Sequence, residues 1–141
     1  MKSIQLPSVS KLKSITADKG NVIKFSHSEI LISKHNENSE YYFTSIIPNS
    51  SKRWRLHQQA NLFIFSILGN CLIDWKDPRD SLINTISLTP ALTEKIQEIK
   101  YPVVFIPKKI EFRIRNISDD LALLACYSDI KHEKTELNVR Y

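Results

Sequence analysis

One short segment places a titratable ring and two fixed cations at a spacing suited to chemistry: Arg53-Trp54-Arg55-Leu56-His57. In an extended chain, side chains point to opposite faces in turn. Arg53, Arg55 and His57 then share one face, and Trp54 and Leu56 the other. A histidine titrates near about pH 6.5 when unperturbed and can act as a base near neutrality. An arginine beside it can stabilise a developing oxyanion, or grip a diphosphate through paired hydrogen bonds. On a solvent-exposed face the same arginines would be ordinary solvated charges. Trp54 reads as a core or interface residue rather than a ligand platform.

The elements that must carry this segment are strands. Short apolar runs rich in β-branched and aromatic residues recur along the chain: 22–25, 29–33, 41–47, 53–57, 62–68, 71–75, 85–88, 103–106, 110–117 and 121–127. Turn residues separate them, a pattern of sandwiches and barrels. Residues 62–68 are apolar on both faces except at Ser66, which predicts a central strand covered on both sides. Residues 110–115 alternate, with Ile110, Phe112 and Ile114 opposed to Glu111, Arg113 and Arg115. Gly69-Asn70 reads as a tight hairpin, residues 116–120 close another hairpin, and residues 48–51 form a loop. Helical spacing is confined to residues 93–99, a short helix or a lid.

A chain of 141 residues with 42% hydrophobic and 25% charged composition fits one domain, residues 1–141, with 1–17 as a polar N-terminal arm. The net charge is +5, but Lys and Arg are dispersed rather than clustered, which argues against nucleic-acid binding. Cys71 and Cys126 lie in apolar runs without CxxC spacing and read as buried thiols. No apolar run is long enough to cross a membrane, and the first residues lack a signal-peptide core, so a cytoplasmic protein is expected. His27, His35 and His132 stand in polar surroundings and are expected at the surface.

Residues 45–69, SIIPNSSKRWRLHQQANLFIFSILG, resemble the first cupin motif of small sugar-nucleotide proteins: Pro48, Lys52, Trp54, His57 and Gly69 fall in register. Asp77-Pro78-Arg79-Asp80-Ser81 is similar to the Asp-x-Arg-x-x-Ser loop of those proteins. Ile106, Pro107, Asn116 and Ser118 match their second motif, and Asp18-Lys19-Gly20-Asn21 and residues 132–141 their opening and closing segments. The families are the dTDP-4-dehydrorhamnose 3,5-epimerase-like proteins and the dTDP-sugar 3,4-ketoisomerases. The resemblance implies an all-β cupin double-stranded β-helix, a jelly-roll barrel with at most one short helix.

Arg55 replaces the first histidine of His-x-His, and Phe112 stands where the second motif often carries one. His57 alone cannot complete a transition-metal site, so no metal and no cofactor are expected. Phe112 should line the barrel and narrow it.

The resemblance implies proton abstraction beside the carbonyl of a dTDP-4-keto-6-deoxy sugar, by an epimerase or a ketoisomerase. His57 would be the base, and Tyr41, or its neighbour Tyr42, the acid. Lys52, Arg53, Arg55 and Arg79 would hold the nucleotide-diphosphate sugar. Asp77 and Arg79 also suit a simple pair across a turn. The alternative is a catalytically inactive cupin that binds a sugar nucleotide or a partner protein. A homodimer joined through strands is expected, since strand edges need cover.

Overall fold

A computed structural model describes residues 4–17, 20–23, 39–90, 100–130 and 136–138, and every regular element among them is a strand. In chain order these are β1 (Ser8–Ala17), β2 (Gly20–Ile23), β3 (Glu40–Ile46), β4 (Ser50–Ser51), β5 (Arg55–His57) and β6 (Leu62–Leu68). They continue as β7 (Cys71–Lys76), β8 (Ile83–Leu88), β9 (Lys100–Ile106), β10 (Glu111–Asn116), β11 (Ala122–Ser128) and β12 (Glu136–Asn138). One sheet has the order β2-β1-β9-β6-β11-β3 and the other β12-β5-β10-β7-β8, with β4 also paired to β10. The strand ladders are antiparallel. This is the expected cupin-type barrel of two facing sheets.

The main core lies between the sheets. Leu62, Ile64, Val104, Ile106 and Leu124 from the first meet Ile73, Trp75, Ile110, Phe112 and Ile114 from the second. Part of the outer face of the first sheet is buried too: Phe63, Phe65, Phe105 and Tyr127 pack there as a second cluster. β6 contributes to both clusters because its residues are apolar on both faces, as its sequence predicts. Its polar residue, Ser66, is buried and donates to the carbonyl of Gly69 at 2.7 Å.

Gly69-Asn70 is not a hairpin. β6 belongs to the first sheet and β7 to the second, so the turn carries the chain across the barrel. Gly69 has φ 88°, and a Cβ there would lie 2.9 Å from the Cα and Cβ of Ala122. Turn chemistry is the same whether flanking strands pair or part; here their pairing with distant strands wins. Residues 116–120 are likewise not a hairpin: they make the reverse crossing, from β10 to β11. Asn116 secures that end of the barrel, with Nδ2 at 3.0 Å from the carbonyl of Ile46 and 2.8 Å from that of Asp120.

Two further expectations change. Ser8–Ala17, read as part of a polar arm, is the longest described strand and pairs along β9. Ser50–Ser51, read as loop, makes a short ladder with Arg115 and Asn116. Cys71 and Cys126 are buried and form no disulfide. The expected helix or lid at 93–99, the strand at 29–33, and His27, His35 and His132 lie outside the described residues.

Candidate functional site

The ladder between β5 and β10 fixes the direction of His57. Arg55 stands opposite Phe112 and Leu56 opposite Glu111. Directly opposed residues share a face. Phe112 belongs to the core, so Arg55 and His57 face the barrel interior, while Leu56 and Trp54 face outward. His57 is 3% exposed, and its ring lies 5.8 Å from that of Phe112. Its carbonyl accepts the backbone N–H of Lys109 at 2.7 Å. Phe112 lines the barrel beside His57, as expected, and makes that wall apolar.

His57 opens onto a cleft between β3 on one sheet and β4–β5 on the other. Its polar lining comes from Tyr42, Thr44, Lys52, Arg53, Arg55 and Arg113; Leu62, Ile64, Phe112, Ile114 and Cys126 supply an apolar floor. The cleft encloses about 380 Å³ of space including its mouth, and is narrow inside and wider at the rim. Four of its described lining residues are cationic and none is acidic. Lys52 donates to the hydroxyl of Thr44. Burial pushes the Cys126 thiol up to about 12, against the opposing pull of a Tyr42 hydrogen bond and the charges of Lys52 and Arg55. Cys126 is thus a neutral, unreactive part of the floor.

A second polar assembly borders the same cleft. Asp74, on β7, is 2% exposed at its side chain. It accepts Arg113 Nε at 2.8 Å, Arg115 Nε and Nη2 at 2.7 and 2.9 Å, and the Thr85 hydroxyl at 2.8 Å. Burial alone would raise its pKa, but the hydrogen bonds from Arg115, Arg113 and Thr85 together hold it at about 2. The Arg113 guanidinium carbon lies 4.9 Å from the centre of the Trp54 ring, and Lys76 Nζ lies 5.1 Å from it. Trp54 is buried, as read from sequence, with its outward face under these cations.

Of the site residues read from sequence, the fold gathers His57, Lys52, Arg53 and Arg55 around one cleft. Tyr41 is a correction. It is opposite Tyr127 in the ladder, on the outer face of the first sheet, 51% exposed and 4.7 Å from that ring. Tyr42, one residue on, is opposite Cys126 and faces the cleft. Arg79 is also a correction: it lies in the β7–β8 loop, outside the cleft lining, and grips Asp77 through Nε at 2.9 Å and Nη2 at 2.6 Å. Asp77 and Arg79 are a turn pair, the simpler of the two readings. Arg113 was missed because alternation puts it on the outward face; only the break between β4 and β5 brings it to the cleft.

Among the described residues, His57 is the one histidine, and no three His, Cys, Asp or Glu side chains gather in a way that could hold a metal ion. The described donors therefore do not fit a several-histidine metal site of the kind metal-binding cupins use.

No protein-family model matches the sequence, and no curated protein matches it. Solved structures do match the fold. A dTDP sugar isomerase from Desulfovibrio desulfuricans G20 aligns at TM-score 0.78 and 19% identity, over 98% of this chain and 88% of that one. A 3,4-ketoisomerase variant from Thermoanaerobacterium thermosaccharolyticum, in complex with TDP-4-keto-6-deoxyglucose, aligns at TM-score 0.72 and 12% identity, over 96% and 88%. The dTDP-6-deoxy-D-glucose-3,5-epimerase RmlC from Legionella pneumophila Philadelphia 1, in complex with dTDP-4-keto-L-rhamnose, aligns at TM-score 0.73 and 12% identity, over 99% and 76%.

Proposed function

We propose that the chain binds a nucleotide-diphosphate sugar in the His57 cleft and isomerises a dTDP-4-keto-6-deoxy sugar by proton transfer beside its carbonyl. The observation that carries this reading is a buried imidazole at the base of a narrow cleft whose described charged residues are all cationic. His57 removes the proton on carbon next to the ketone, and the electron pair moves onto the carbonyl oxygen. Lys52 and Arg55, both in the cleft lining, stabilise the resulting enolate. Reprotonation of carbon on the other face gives an epimer. For the ketoisomer the enolate oxygen is protonated to an enediol, the neighbouring hydroxyl gives up its proton to become the new ketone, and the former carbonyl carbon takes up a proton. Tyr42, a hydroxyl in the cleft lining, delivers the proton; in the resting cleft it hydrogen-bonds Cys126.

The test is exchange. In D₂O, dTDP-4-keto-6-deoxyglucose should take up deuterium at a ring carbon next to the ketone. His57→Asn should slow uptake by about 10²-fold or more while leaving nucleotide affinity within a few-fold. No uptake with His57 intact, under saturating ligand, would remove the isomerase reading.

A binding-only protein is the second reading, favoured by the small inner volume and by Phe112 against His57. It expects stabilisation by dTDP-sugars without exchange. We also propose a homodimer. β3 is the end strand of its sheet among the described residues, and its Tyr41 and Phe43 are 51% and 69% exposed. Light scattering at the mass of one chain would exclude it.

A further inference from the structure

We propose, resting on the nucleotide-sugar reading above, that Arg113 is a phosphate ligand at the rim of the cleft, held in position by Asp74 and Trp54. The residues that should pair with the middle of β10 step away from it. β5 pairs Glu111 and Phe112, β4 pairs Arg115 and Asn116, and Lys52-Arg53-Trp54 bridges the interval. Across that interval the Lys52 N–H donates to the Ile114 carbonyl at 2.9 Å. Lys52-Arg53-Trp54 leave the ladder there, and Arg113, an outward residue of β10, reaches the edge of the inward cleft.

The charges around Asp74 do not balance. Arg115 takes both carboxylate oxygens, which neutralises Asp74, and Arg113 adds one more positive charge through Nε. With Nε fixed at 2.8 Å and the guanidinium over the Trp54 ring, the group has little freedom to turn. Its Nη1 and Nη2 amines make no hydrogen bond among the described residues. A restrained guanidinium with two uncommitted amines suits a phosphoryl group, whose paired oxygens match that fork. Asp74 touches no ligand in this arrangement. It is a positioning residue, and because it stays ionised far below neutrality its hold does not change across the working pH range.

The simpler account is a staple between β7 and β10 with no ligand role. A ligand series separates the two. Titration calorimetry would compare thymidine, dTMP and dTDP on the intact chain, on Arg113→Gln, Arg113→Lys and Asp74→Asn, and on the double variant. The intact chain should prefer dTDP to thymidine. Arg113→Gln should reduce that preference by about tenfold or more and leave thymidine affinity unchanged, since a hydrogen bond to a charged group is at stake. Arg113→Lys should recover part of it. Asp74→Asn should also reduce it, and the double variant should bind as Arg113→Gln does, because Asp74 acts through Arg113. Unfolding midpoints without ligand establish that each variant is folded. Should Arg113→Gln unfold, Arg113→Lys carries the comparison with a smaller drop. A preference for dTDP that survives in the folded Arg113 variant overturns the phosphate role and leaves the nucleotide reading intact. An intact chain that binds dTDP no better than thymidine overturns both.

Discussion

The backbone N–H of Lys109 donates to the carbonyl of His57 at 2.7 Å, and Lys109 itself sits in the left-handed region at φ 66°. The turn between β9 and β10 thus closes onto the residue at the base of the cleft. A side chain at such a φ costs roughly 1 kcal/mol that glycine does not. Lys109→Gly should therefore raise stability by up to about 1 kcal/mol. Lys109→Pro removes the donor and forbids the φ, and should cost about 3 kcal/mol. Urea unfolding of both variants checks the signs, and a more stable proline variant would contradict the role of this bond.

Asp74 makes the fold acid-sensitive in a definite window. Its folded pKa is depressed to about 2 from 3.8. A depressed carboxylate contributes stability above its unfolded pKa and loses it as pH falls through the folded one. The contribution is about 2 kcal/mol, fully present above about pH 4 to 5 and gone near pH 2. Asp74→Asn should cost about 3 kcal/mol at pH 7, since two part-buried guanidiniums lose their shared counter-charge. The gap between variant and parent should close as unfolding is measured at pH 5, 3 and 2. A gap independent of pH would show that packing, not charge, sets the cost.

Gly69→Ala meets two obstacles at once, φ 88° and a 2.9 Å approach to Ala122. Ala122 is fully buried at the start of β11, so neither side has room to yield. The variant should lose about 2 to 4 kcal/mol, the sum of backbone strain and a core clash. Thermal unfolding reads it directly, and a loss under about 0.5 kcal/mol would mean that the crossover turn relaxes freely.

How much of this was legible in the sequence depends on what sets each feature. The faces of β5 and β10 follow from alternation alone, so the inward placement of Arg55, His57 and Phe112 could be read from residue order. Tyr41 against Tyr42 could not. Adjacent aromatics satisfy either parity, and the register with β11, Tyr41 to Tyr127 and Tyr42 to Cys126, decides between them. Ser8–Ala17 is too polar to announce itself, and what shows it as a strand is its backbone register with β9. Arg113 escaped because its access depends on strand pairing failing at one place, and a pattern of residues does not record where a ladder breaks.

The strands of the two sheets are interleaved along the chain, and this bears on how the molecule assembles. β9 fills the space between β1 and β6, β11 that between β6 and β3, and β10 that between β5 and β7. Roughly the first ninety residues to leave a ribosome would therefore carry strands whose neighbours have yet to be made. Those strands must wait as unfilled frames until the last third arrives and is threaded among them. Such non-local wiring slows folding and leaves sticky edges open meanwhile. Any cut between β5 and β11 divides both sheets at once.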